Sequence, residues 1–402
     1  MIHIIEYIFW VCSGTMLYGY IGYGILLLIL TGFGRLLKGQ GGYRKAGSDM
    51  NCLPATTLVV AAYNEEDVIE DKILNCLSLR YPANKLSFLF VTDGSNDRTT
   101  EIITRYPQIR LLHDQQRKGK AAALNRAMVN VETPITVFCD ANSMLNQYAI
   151  QRLISHYQNP DIGGVAGEKR VMVKSHADTA AAGEGLYWKY ESLLKSLDAE
   201  LYTVAGAAGE LFSIRTVLWE PLREDTLLDD FMISTGINLK GYRIGYEPGA
   251  YAREMPSTSM EEEGKRKARI CAGGFQSMSR RPELFNVFRH PVLFFQFFSH
   301  RFLRWTAVPL CFPLLFLSNL WIVLNGGGTS YRFFLLGQVT FYLLALVGAY
   351  LARRKISMKI LPLFYYIFFM NYSVYKGFFR FLRGRQSVVW EKAERDTLAI
   401  SA

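Results

Sequence analysis

The chain reads as an α/β domain on a Rossmann-like, mainly parallel sheet, joined to apolar helices long enough to cross a bilayer. Three observations predict this. Apolar strand-like runs alternate with amphipathic helical segments from 55 to about 250, the pattern of a parallel sheet covered on both faces. Three of those runs, 57–62, 86–92 and 135–139, end in polar clusters. These are Tyr63-Asn64-Glu65-Glu66, Asp93-Gly94-Ser95-Asn96-Asp97 and Asp140-Ala141-Asn142. Long apolar stretches occupy 5–32, 305–324 and 332–351. In open α/β sheets, ligands bind beyond the carboxyl ends of the strands, so the three clusters mark one rim as the candidate site.

The segments justify themselves in order. Residues 1–34 form an amino-terminal transmembrane anchor: no basic residue precedes the apolar run and no cleavage site follows it, which argues against a signal peptide. Arg35, Lys38 and Arg44 come next and place that end in the cytoplasm. Residues 35–54, rich in glycine, read as a linker, and 55–281 as the cytosolic α/β domain, with helices expected at 65–80, 97–106 and 121–131. Aromatic and basic residues at 282–304 predict an amphipathic helix in the membrane interface. Residues 305–351 carry two transmembrane helices joined by Asn325-Gly326-Gly327-Gly328. Within 352–402, the apolar run 360–375 ends in Lys376, Arg380, Arg383 and Arg385. A crossing there would carry a basic tail outside, so an in-plane or re-entrant helix with a cytosolic tail is expected.

Composition narrows the function. Half of the 402 residues are hydrophobic and 14% aromatic, which excludes a disordered chain. The net charge of +10 is concentrated at Lys265, Arg266, Lys267, Arg269, Arg280, Arg281, Arg289, Arg301 and Arg304. A basic stretch beside an apolar region suits lipid headgroups or a pyrophosphate; no nucleic-acid motif accompanies it, and no nucleic-acid partner is expected. The six cysteines, Cys12, Cys52, Cys76, Cys139, Cys271 and Cys311, lack CxxC or Cys/His spacing and read as reduced and structural.

Asp140 and Asn142 stand one residue apart after a strand, so both can reach one divalent cation beside a diphosphate. A lone Asp-x-Asn commonly caps a turn; its position downstream of Asp93 and Lys120 gives it weight. Asp229 and Asp230 precede a helix expected at 232–240. One acid suffices for a cap, whereas adjacent carboxylates raise one another's pKa and suit a general base. Arg266 and Arg269, three apart, share a helix face and can meet a diphosphate, or equally a solvated or headgroup-facing surface.

Taken in order, Ala62-Tyr63-Asn64-Glu65, the Asp93 cluster, Lys118-Gly119-Lys120, Asp140-Ala141-Asn142, Gly206-Ala207-Ala208-Gly209-Glu210-Leu211-Phe212, Asp229-Asp230 and the Arg266–Arg269 segment resemble membrane-bound family 2 glycosyltransferases. These include the cellulose, chitin, hyaluronan and poly-N-acetylglucosamine synthases. The resemblance covers roughly 55–305. It implies a GT-A fold and an inverting transfer from a nucleotide sugar, UDP-linked by preference, with Mg²⁺ or Mn²⁺. By it, Ala62, Tyr63, Glu65 and Asp93 line the uridine and ribose site, with Lys120 nearby, and Arg266 serves the diphosphate. Asp140 and Asn142 hold the metal, Asp230 beside Asp229 is the base, and Arg269 steadies the leaving diphosphate. Gly209, Glu210 and Leu211 flank the acceptor.

Two departures stand out. The family's DxD is Asp-Ala-Asn here, so one ligand is neutral. Its QxxRW becomes Arg266-Lys267-Ala268-Arg269-Ile270, and the aromatic face for the acceptor sugar is missing; Trp390 in the tail is a candidate replacement. The leading expectation is a synthase that elongates a β-linked polysaccharide, with a homo-oligomer or partner subunit completing a path through the membrane. The rival adds one sugar to a lipid or lipid-linked acceptor. A transporter is disfavoured because the spans carry almost no charge. A nucleotidyltransferase is disfavoured because Tyr63-Asn64-Glu65-Glu66 stands where a glycine-rich phosphate loop belongs. An integral protein of a bacterial inner or plasma membrane is expected, with its catalytic domain in the cytoplasm.

Overall fold

The computed structural model describes residues 2–38, 53–172, 179–255, 260–354, 361–384 and 387. Most of the expected linker, most of the basic tail and Trp390 lie outside them. The chain opens with α1 (Ile2–Leu17), a π turn at Tyr18–Gly22 and α2 (Tyr23–Lys38). The α/β domain follows as β1 (Thr56–Ala62), α3 (Ile69–Leu77), β2 (Leu86–Asp93), α4 (Thr99–Thr104), β3 (Ile109–Asp114), α5 (Lys120–Met128), β4 (Ile135–Asp140), β5 (Met144–Leu145), α6 (Ala149–Ile154), β6 (Ile162–Val171), α7 (Thr179–Leu201), β7 (Leu211–Arg215), α8 (Asp229–Leu239) and β8 (Arg243–Glu254). Then come α9 (Met260–Arg280), α10 (Pro291–Phe297), a π turn at Phe298–Phe302, α11 (Leu303–Trp305), α12 (Ala307–Leu324), α13 (Thr329–Arg353) and α14 (Leu361–Leu382).

Eight strands make one sheet in the order β3-β2-β1-β4-β7-β6-β8-β5. β1 pairs in parallel with β2 and β4, and β2 with β3. Every residue of β1 is buried, and its alternate side chains feed two cores: Leu58, Val60 and Ala62 face α3, while Val59 and Ala61 face α5. Unbroken apolar runs are what a strand covered on both faces requires. Beyond β4 the sheet is mixed, because β7 runs antiparallel to both β4 and β6. β3, which the apolar pattern does not mark, is the edge strand, with exposed Arg110 and His113 between half-buried or buried neighbours.

Gly94 closes the turn after β2 at φ 69°, and a Cβ there would come 2.9 Å from Arg117. Both the positive φ and the close approach call for glycine.

Three helices among the described residues are long and apolar enough to cross a membrane: His3–Leu37, Ala307–Leu324 and Thr329–Ala352. α1 packs on α12, and α2 lies along α7 of the α/β domain, where Arg35 pairs with Glu200 at 2.5 Å. α14 lies along α9 and α13, and Gly377 lets it meet Cys271 and Ala268 of α9 closely. The segment 282–304 departs from the expected surface helix. It begins with a 3₁₀ turn at Pro282–Phe285, and the π turn swings His300 and Arg301, with Arg304 one turn on, towards buried carboxylates of α7. Two buried acids on α7, Glu191 and Asp198, demand counter-charge, and His300, Arg301 and Arg304 of this stretch supply it.

Candidate active site

The carboxyl ends of β1, β2 and β4 meet the start of α8 on one rim. Asp93, 1% exposed, accepts the backbone N–H of Lys118 at 3.0 Å and of Gly119 at 2.7 Å. Both oxygens serve the loop, so Asp93 shapes the approach to α5. The loop delivers Lys120 as the first residue of α5. Its ammonium stands 2.8 Å from Asp140 and 3.2 Å from Asp229. Burial alone would lower the Lys120 pKa, but the carboxylates of Asp140 and Asp229 outweigh it and hold it raised. One lysine therefore ties the end of β4 to the first turn of α8.

Burial pushes the Asp140 carboxyl up, and Lys120 pulls it part of the way back. Asp230 is pushed up to about 7, first by burial and then by Asp229 beside it, with Lys120 opposing. The Phe231 N–H donates to Asp230 at 2.8 Å and fixes the side chain at the helix start. A carboxyl that titrates near neutrality suits a general base. Gly209 backs onto it: a Cβ there would lie 3.4 Å from Asp230 and 3.7 Å from Lys120.

On the nucleotide side, Ala62 ends β1 in the core and Tyr63 lies under the Arg117 guanidinium, 3.7 Å from ring centre to carbon. Asn64, at φ 52°, exchanges side-chain and backbone hydrogen bonds with Asn96 at 2.7 and 2.9 Å. The Glu65 N–H donates to Thr99 at 2.8 Å, so the β1 and β2 clusters form one platform. Arg117 joins Tyr63 there, a partner that spacing does not reveal.

Behind the loop from β4 to β5 runs a buried chain. Lys72 donates to the Ser143 carbonyl at 2.5 Å, and the Ser143 hydroxyl donates to Glu254. Lys169 bridges Glu254 and Glu210, 2.7 Å from each. Burial would raise Glu210, but Lys169 outweighs it and holds the carboxyl low.

On the opposite side, Asp230 and Glu210 face a cavity of about 190 Å³ closed by Trp188, Lys195, Arg304 and Trp305. Ile270 lines it where the resemblance leads one to expect tryptophan, and Trp188 and Trp305 supply aromatic faces from other elements. Arg266 faces the cavity, paired with Glu263 at 2.9 Å; Arg269 is not among the lining residues. Leu211 is 1% exposed and packs on Gly167 in the core, so only Gly209 and Glu210 of that trio reach the site.

Trp188, Glu191, Lys195 and Asp198 recur at three- and four-residue intervals on α7, a polar stripe the pattern of a buried face would have flagged. Glu191 accepts from Arg304, lies 3.3 Å from His300 and 3.6 Å from Arg301. Asp198 accepts from Tyr23 of α2 and sits 2.6 Å from His300. The network joins α2, α7 and the π turn.

No cluster of three or more His, Cys, Asp or Glu side chains forms a metal cage among the described residues. Mg²⁺ and Mn²⁺ do not need one, since they commonly take one or two protein oxygens, water and substrate phosphate. Asp140 and Asn142 fit that donor set, and Lys120 marks the place between Asp140 and Asp229 as one that holds a cation.

The mixed sheet and the rim at its strand ends are those of the GT-A fold. A mannosyltransferase from Pyrobaculum calidifontis, solved in complex with GDP-Man and Mn²⁺, shares the fold with a TM-score of 0.71 at 20% identity, over 95% of this chain and 100% of that one. Residues 57–212 match the model of glycosyl transferase family 2. The poly-beta-1,6-N-acetyl-D-glucosamine synthase of Staphylococcus aureus (strain MSSA476) is 28% identical over 251 residues, 59% of this chain and 58% of that protein. The Staphylococcus epidermidis synthase of the same name is 25% identical over 235 residues, 56% and 55%. The match thus spans a little under three fifths of the length of these relatives.

Proposed function

We propose that this protein transfers a sugar from a UDP-linked donor, with inversion, to a hydroxyl held in the cavity beside Asp230, extending a β-linked polysaccharide. The observation that carries the reading is Asp230 itself, at about 7, between the rim at the strand ends and a cavity it lines. The acceptor hydroxyl gives its proton to Asp230 as its oxygen attacks the anomeric carbon. The bond from that carbon to the diphosphate breaks, and the nucleoside diphosphate leaves. A divalent cation on Asp140 and Asn142 would supply charge stabilisation to the leaving diphosphate. Tyr63 and Arg117 form the nucleobase side, and Trp188 and Trp305 the walls that orient the acceptor ring. Arg35, Lys38 and Arg44, which follow the first apolar run in the sequence, support a cytoplasmic domain by the positive-inside rule.

Addition of a single sugar to a lipid is a second reading. The cavity is small for a glycan chain, and Ile270 offers no stacking face in the place where a processive enzyme is expected to have one. Supplying a panel of nucleotide sugars to protein in nanodiscs, following nucleotide release and sizing the product separates the two. A high-molecular-weight ladder supports the polymerase, and a single low-mass product supports the second reading. No release from any donor counts against both.

Asp140→Ala is expected to remove the dependence of UDP affinity on Mn²⁺. Calorimetry giving one affinity with and without the metal, in wild-type and variant alike, would count against the site. The pH profile of kcat/KM should rise through about 7, because below that value Asp230 holds a proton and cannot accept another. Asp229→Asn removes a carboxylate that raises Asp230, so the rising limb should move to lower pH. A limb that stays in place would dissociate it from Asp230.

A further inference from the structure

A second, apolar pocket of about 490 Å³ opens between α1, α12, α13 and α14, lined by Phe9, Met16, Phe312, Phe334, Phe341 and Ile367 among others. Three of those four helices belong to membrane-crossing candidates, so the medium around the pocket is hydrocarbon. An open apolar pocket of that size in a bilayer takes up lipid chain, because vacant space there forfeits dispersion contacts. Tyr20, in the π turn between α1 and α2, lines this pocket and the catalytic cavity alike. Its hydroxyl accepts from Asn371 of α14 at 2.6 Å, which fixes it where the two spaces meet.

At the catalytic end stands Lys195, 5% exposed and lining the cavity, with no hydrogen-bond or ion-pair partner among the described residues. Trp188 lies 5.9 Å from its ammonium, and Arg301 lines the same cavity. Burial, and then Arg301, depress its pKa more than Glu191, Glu210 and Asp230 at the same cavity raise it. Glu191, the nearest acid on the same helix face, is engaged by Arg304, His300 and Arg301. A buried ammonium with no partner is costly unless an anion joins it.

We propose that the acceptor is a membrane lipid with a phosphate and a free hydroxyl in its headgroup: its chain lies in the pocket between α1, α12, α13 and α14, its phosphate meets Lys195 and Arg301, and its hydroxyl reaches Asp230. This rests on the glycosyl transfer proposed above and names the acceptor for the single-addition reading. The lipid hydroxyl oxygen bonds to the anomeric carbon, its proton passes to Asp230, and the nucleoside diphosphate departs with the electrons of the broken bond. The product is a glycolipid.

The test uses the full chain in phosphatidylcholine nanodiscs with and without phosphatidylglycerol, whose headgroup carries both groups. A radiolabelled donor panel is supplied, and label is counted in the solvent-extracted lipid. Wild-type protein is expected to label lipid only where phosphatidylglycerol is present. Lys195→Met, which keeps the stem and removes the charge, should lower this roughly tenfold or more. Gly337→Phe places a ring in the pocket, where a Cβ meets nothing within 4 Å, and should lower it comparably. UDP calorimetry checks that both variants keep an intact donor site. Nucleotide release with a water-soluble polymer and no labelled lipid would overturn the inference and leave the proposed function standing. Equal lipid labelling by all three proteins would overturn the assigned site. Should no donor turn over, the proposed function fails first, and phosphatidylglycerol retained through detergent exchange decides the rest. Preferential retention by wild-type supports the lipid site, and equal retention by the three proteins overturns it.

Discussion

Asp230→Asn is expected to stop transfer, by roughly 10²–10⁴-fold in kcat, while UDP affinity stays within a few-fold. The substitution keeps size and shape. The amide oxygen still accepts the Phe231 N–H that fixes the start of α8, so the local backbone has no reason to move. What is lost is the ability to take a proton from the acceptor. Asp229 cannot stand in, because its carboxylate lies 3.2 Å from Lys120 and is committed to that ammonium. Removing the acid also relieves the charge crowding that raises it, so donor binding has nothing to lose from this side chain. Nucleotide release measured beside UDP calorimetry settles the matter. If UDP affinity fell in step with turnover, Asp230 would be a donor-binding residue and the base would lie elsewhere.

The half of the site built on β1, β2 and β4 was legible in the sequence. Those strands are covered on both faces and therefore read as unbroken apolar runs, and each delivers its polar cluster at a fixed point, the carboxyl end. Lys120, Asp140, Asp229 and Asp230 accordingly converge as the ordered motifs imply. Asp93 shows where such reading stops. The sequence puts it at the carboxyl end of β2, but only the folded loop reveals that its carboxylate accepts two backbone amides. β3 escaped because an edge strand with one solvated side carries charged residues. The antiparallel β7 escaped because strand direction is a property of the connections, not of the residues.

The acceptor side was least legible. Ile270 invited the conclusion that no aromatic wall exists, yet Trp188 and Trp305 come to the same cavity from α7 and α11. Motif reading compares one position with one position, whereas a binding wall is met by whichever elements the fold brings together. The basic run before α12 misled for a related reason. Arginines beside an apolar region resemble a headgroup-facing surface until the acids of α7 are known to be buried against them. That pairing makes the helix after α9 part of the catalytic domain's support and connects it, through Asp198 and Tyr23, to the amino-terminal helix.

The strength of that connection sets the largest stability effect expected here. Glu191 is 1% exposed and meets Arg304, Arg301 and His300 at once. Burial would raise its pKa, but Arg304 and His300 outweigh it and hold the carboxyl well below the ordinary value of 4.5. Glu191→Gln keeps the shape and removes the charge, which leaves Arg304 buried against a neutral amide. Breaking a buried pair from one side costs about 3–5 kcal/mol, and a fall in Tm on the order of 10 °C should follow. The acid side supplies an independent check. A glutamate whose folded pKa is depressed stabilises the fold above its unfolded value and loses that contribution as pH falls towards the folded value. Wild-type protein should therefore lose Tm faster than Glu191→Gln once pH falls below about 4.5, and the gap should narrow as pH approaches the depressed folded value. Thermal unfolding in one detergent at pH 7 and at a series of pH values below 4.5 measures this. Equal midpoints at pH 7 would mean that water reaches the cluster and screens it, and that α7 is held to the π turn by apolar packing alone.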